Sequence, residues 1–97
     1  MQANSLELTA CIAEVEAMRY TPAGIPALNC RLEHESQTQE AGAVRTVKMT
    51  IKAVAFGAHA ERLAKQAIGS EWSFKGFLAN ARQGKSIVFH IQDFLQD

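Results

Sequence analysis

Between Arg45 and Phe56 the chain alternates between apolar and polar residues. Val47, Met49, Ile51, Ala53 and Ala55 fall on one parity, and Thr46, Lys48, Thr50 and Lys52 on the other. A period of two means a β-strand with one wet face, which belongs in an antiparallel sheet or a barrel. At Gly57 the period changes. Ala60, Leu63, Ala64 and Ala67 recur at helical spacing over Ala58 to Ile68, with Gly69 placed to end the helix. The helix is short and its apolar stripe is narrow, which suits capping the end of a barrel.

Four further strands fit around this junction. The first runs from about Asn4 to Ala17, long enough that a bend or bulge is expected near Ala13. Pro22, Gly24 and Pro26 then mark an ordered loop that leads into a second strand from about Ala27 to Glu35. Ser36 to Gly42 is polar and reads as a surface loop. After the helix, Glu71 to Ala79 is a fourth strand, where Gly76 suggests a bulge or a close backbone approach. Asn80 to Lys85 is a turn, and Ser86 to Phe94 is the fifth strand.

The order is β-β-β-α-β-β: all-β with one short helix. A lone helix between the third and fourth of five strands is the plan of the OB-fold, a small Greek-key barrel. An SH3-like barrel shares most of this pattern but does not place a helix there. Residues 1–97 are expected to form a single OB-fold domain.

Charge and cysteine usage narrow the function classes. Residues 1–42 carry six acids and two bases, and residues 43–97 carry eight bases and four acids, so the neutral total hides an asymmetry. That split suits either one basic face turned to a polyanion or charges scattered over a solvated surface. No apolar run approaches the ~20 residues of a membrane span. The N-terminus carries Glu7, Glu14 and Glu16 with no basic leader, so a cytoplasmic chain without a membrane anchor is expected. Cys11 and Cys30 read as buried, reduced thiols. His34, His59 and His90 lie far apart, with no Cys at ligand spacing, so neither metal nor cofactor is expected.

No nucleophile constellation or phosphate-binding glycine loop is present, and the chain does not read as an enzyme. Glu33 and Glu35 flank His34 near a strand end, where two carboxylates on one face are a solvated patch. The positive signal is basic. Lys48 and Lys52 share the wet face of the third strand, roughly 13 Å apart at ~3.3 Å per residue, far enough to meet different phosphates. An OB-fold binds ligands on the faces of its second and third strands and in the loops between its first two and last two strands. Those places hold Arg19, Tyr20, Arg31, Lys48, Lys52, Arg82 and Lys85, with Arg45 at the entry to the third strand. Tyr20 is the one evident base-stacking platform. Trp72, Phe74, Phe89 and Phe94 read as core.

The run RYTPAGIPALNCRLEHES, then Glu40-Ala41-Gly42, Arg45, the helix and the Gly76-Phe77 pair resemble the primosomal replication protein N family, PriB. More remotely the chain resembles the bacterial single-stranded DNA-binding protein SSB, which shares the TP-x-G loop. The resemblance implies an SSB-like OB-fold homodimer that binds single-stranded DNA at stalled forks. It also implies handling by the helicase PriA in the replication restart primosome, with DnaT a further partner in some bacteria. It carries Arg19, Arg45, Arg82 and Lys85 over as binding positions and supplies no catalytic site. Lys48 and Ala43 stand where enterobacterial members place Trp and Phe, so the resemblance implies weaker DNA binding here. Two rival readings are a protein-interaction adaptor with little nucleic-acid binding and an RNA-binding OB domain.

Overall fold

The computed structural model describes residues 2–96. Six strands and one helix follow in the order β1 (Leu6–Val15), β2 (Arg19–Tyr20), β3 (Pro26–Glu40), β4 (Ala43–Phe56), α1 (Ala58–Ala64), β5 (Glu71–Asn80) and β6 (Ile87–Leu95). The sheet order is β1-β5-β6-β4-β3-β2, and β1 also pairs with β3, which closes a five-stranded barrel. The β4–β6 pairing is parallel and the others are antiparallel. This is the OB-fold barrel expected from the order of elements. The two-residue β2, beside the start of β3, is the one strand the alternation did not reveal.

The inward parity of each long strand supplies the core. Leu8, Ala10 and Ile12 from β1 meet Leu28, Cys30 and Leu32 from β3 and Ala53 and Ala55 from β4. Phe74, Phe89, Ile91 and Phe94 fill the rest, the three phenylalanines as read from the sequence. Trp72 is half-buried, packing edge-on against Phe94 with ring centroids 5.1 Å apart. Helix α1 closes one end through Ala60 and Leu63, both fully buried. Arg62 fastens the helix to β6: its guanidinium lies 3.8 Å from the centre of the Phe94 ring and donates to the Phe94 carbonyl.

Two boundaries and one burial differ from the sequence reading. Ser36 to Gly42 is not a loop: β3 continues to Glu40 and pairs residue by residue with β4, and the turn is only Ala41–Gly42. Both residues have positive φ, 52° and 80°, as a tight hairpin turn demands. Polar residues on both faces hid the strand, because this part of the hairpin projects past the barrel. The helix ends at Ala64, leaving Ala67 exposed, and Gly69 instead turns the chain toward β5, its N–H donating to the Ile12 carbonyl. Cys30 is buried, but Cys11 lies half-exposed on the outer face, and both thiols are free.

Two irregularities position the outer surface. In β1 the register slips between Ile12 and Glu14, the bulge expected near Ala13. In β5 it slips between Lys75 and Gly76. Gly76 is buried against β6, and a Cβ there would lie 1.8 Å from the His90 carbonyl oxygen.

Candidate nucleic-acid interface

A groove of about 720 Å³ runs over the outer face of β3, β4 and β6. Its floor follows from register. Asn29 lies opposite Val54, Val54 opposite His90, and His90 opposite Phe77. One row along, Glu14 lies opposite Arg31 and Arg31 opposite Lys52. The loop from β1 to β3 forms one wall, the turn from β5 to β6 the other.

Five of the eight residues singled out in the sequence line this groove: Arg19, Tyr20, Arg31, Lys52 and Arg82. The other three do not line it. Lys48 and Arg45 sit on the projecting hairpin, where each pairs with a carboxylate, Glu35 at 3.8 Å and Glu40 respectively. Lys85 lies in the β5–β6 turn outside the groove lining. The loop carrying the wall is ordered by its own bonds. Thr21 accepts from Gly24 N–H at 2.8 Å through its carbonyl and from Ile25 N–H at 3.1 Å through its hydroxyl. Arg19 reaches back to Asn29 Oδ1 at 3.3 Å, and Tyr20 stands 67% exposed above the floor.

The groove is not uniformly basic. Glu14 and Glu16 line it with the cations, so the acid-rich first part of the chain is interleaved with the basic second part. Arg31 Nη1 lies 2.9 Å from Glu14 Oε2. Cys30, beneath this lip, has its thiol pushed up to about 12 by burial, with the charge of Glu16 adding to the effect.

Sequence reasoning missed the aromatic floor. His90 stacks on Phe77 at 4.7 Å and 14° and on Phe56 at 6.0 Å and 23°. Phe56 and His90 line the groove, and Phe56 is 39% exposed. The signal for Phe56 was its parity, which it shares with Lys48 and Lys52 on the wet face. Phe77 was harder to place, since the Gly76 bulge resets the parity of β5.

Comparison with known proteins decides the family. A family model described as "Another single-strand binding protein family" matches residues 4–93. A replication restart protein PriB of Bordetella pertussis is 49% identical over 90 residues, which is 92% of this chain and 84% of that relative. The chain belongs to the PriB family. PriB from Ralstonia solanacearum superposes with a TM-score of 0.91 at 38% identity, covering 99% of this chain and all of the other. A small single-stranded DNA-binding protein from Streptomyces coelicolor shares the fold at 17% identity, with a TM-score of 0.77 over 100% and 95% of the two chains. The PriB fold thus fits the resemblance carried by the GIP and LEHES segments.

Proposed function

We propose that this chain is an accessory single-stranded DNA-binding protein of replication restart, which holds the strand on its groove and stabilises the PriA helicase at stalled forks. The observation that carries this is the groove itself, where Arg19, Arg31, Lys52 and Arg82 surround Tyr20, Phe56 and His90. Cations that track a backbone and rings that stack on bases are the two parts of a sequence-tolerant single-strand site. Family membership supports the restart role, because the named relatives are replication restart proteins. No helix among the described residues is long and apolar enough to cross a membrane. The chain acts by binding, without a catalytic step, and DnaT is a second candidate partner. A homodimer joined through β1 extends the groove across two subunits. The open edge of β1 over Leu6 to Ala10 supports this, since β1 meets β3 only from Cys11 onward.

Fluorescence anisotropy of a labelled single strand of about 35 nucleotides, at two salt concentrations, tests the reading. Binding that weakens steeply with salt is expected. No binding at low salt overturns it in favour of an adaptor that contacts the helicase alone.

A further inference from the structure

We infer that Glu14 is a built-in competitor for the DNA backbone, an intramolecular carboxylate that occupies Arg31 in the groove until a phosphate displaces it. The inference rests on the proposed single-strand binding.

The bulge in β1 is what puts Glu14 there. Before it, Ile12 points into the barrel opposite Leu32. In an unbroken strand Glu14 would share that inward parity and lie opposite buried Cys30. The register slip instead sets Glu14 opposite Arg31 and Val15 opposite Cys30. One extra residue therefore turns a carboxylate from the core side to the groove side, a known use of a bulge. The result is a three-strand row of Glu14, Arg31 and Lys52.

The charges in that row need a shared counterion. Arg31 and Lys52 are directly opposed cations, an arrangement that repels across a strand pair. In the free protein Glu14 relieves it, at 2.9 Å from the guanidinium. A phosphate between Arg31 and Lys52 would relieve it equally well and would meet Glu14 as a like charge. Carboxylate and phosphate thus compete for one guanidinium. The pair is about half exposed on both sides, 49% and 58%, so its bond is weak enough to exchange. The other two ion pairs of the β3–β4 hairpin, at Lys48 and Arg45, lie outside the groove and do not set this competition.

The test uses the full chain and a labelled oligothymidylate, with Glu14→Gln, Arg31→Ala and the double variant. Glu14→Gln keeps the shape of an exposed side chain and removes only its charge. It is expected to tighten binding about three- to tenfold at low salt, while the log–log salt slope changes by less than about 0.7, the value of one phosphate, because Arg31 meets the same phosphate in both proteins. In the Arg31→Ala background the same change should gain little. Glu61→Gln, which alters net charge equally on the exposed side of α1 and outside the groove, should leave binding unchanged. Unaltered affinity in Glu14→Gln, or a slope steeper by a whole phosphate, with the wild type binding, overturns the inference and leaves the DNA-binding reading standing. An equal gain with Arg31→Ala or in Glu61→Gln overturns it too, since the effect would be long-range charge. Absence of binding by both wild type and Glu14→Gln overturns the DNA-binding reading and the inference with it.

Discussion

Phe56, His90 and Phe77 show how single side chains set the chemistry of the groove. Their rings stack across β4, β6 and β5, with Phe56 and His90 in the groove lining and Phe77 behind His90, so under the proposed single-strand binding an unpaired base would meet a platform already ordered in the free protein. Stacking of this kind contributes about 1–3 kcal/mol per base, and it does not depend on salt. Replacing both Phe56 and Phe77 by Ala should therefore weaken single-strand binding by about 5- to 150-fold while leaving the salt slope unchanged. A variant that binds as tightly as wild type would remove the rings from the site. Cys30 gives a second prediction at this scale. The folded thiol keeps its proton to about 12, whereas the unfolded thiol loses it near the ordinary 9.0. Between those values the unfolded chain binds fewer protons, so Cys30's stabilising contribution is complete below pH 9 and declines toward pH 12. The decline is at most about 1.4 kcal/mol per pH unit. Denaturant melts of wild type and Cys30→Ala should converge as pH rises through that window, and parallel curves would contradict it.

At the scale of elements, glycine at 76 lets β5 and β6 lie close enough to bring Phe77 beside His90. A methyl group there would lie 1.8 Å from the His90 carbonyl oxygen, with backbone on the other side of the clash. Gly76→Ala is expected to cost ~3 kcal/mol or more, or to prevent folding, as read by thermal unfolding. A melting temperature within a degree of wild type would mean the two strands part freely. This glycine was legible in the sequence, as were the alternation in β4, the bulge near Ala13 and the strand–helix switch at Gly57. All four leave a local mark: a period kept or changed, a strand too long to run straight, or a residue without a side chain. The projecting half of the β3–β4 hairpin left none, because Gln37, Thr38 and Gln39 face water on either parity. The site was half legible for the same kind of reason. Tyr20, Arg31 and Lys52 sit where strand parity and loop position put them. The pairing of Arg31 with Glu14 depends on a register slip, and the His90 stack on contacts between distant strands. Neither is encoded in any one segment.

The whole molecule is less compact than its length implies. Its radius of gyration is 14.3 Å, against about 12.5 Å for a compact chain of this length. The long axis of 50 Å, twice the shortest extent, reflects the hairpin that projects beyond the barrel. On that arm Val47 is only half-buried and Met49 and Val44 are exposed, while the facing stretch of β1, Leu6 to Ala10, has no strand on its β3 side. Among the described residues one side-chain hydrogen bond spans this gap, from His34 Nδ1 to the Thr9 carbonyl at 2.6 Å, and His34 Nε2 bonds to the Ser36 hydroxyl at 2.7 Å. Unpaired edges of this kind invite another strand, and a two-fold dimer, the commonest closed homo-oligomer, would pair them. Sedimentation equilibrium at micromolar concentration should therefore give a dimer. Hydrogen exchange should slow in Leu6 to Ala10 as concentration rises, while the amides of β6 stay constant. A monomer mass throughout, or exchange in β1 that ignores concentration, would rule out this edge as the joint. If the dimer forms this way, each subunit's groove continues into its neighbour's. A strand bound across both would then meet two Glu14–Arg31 pairs, and the gain from Glu14→Gln should grow with oligonucleotide length.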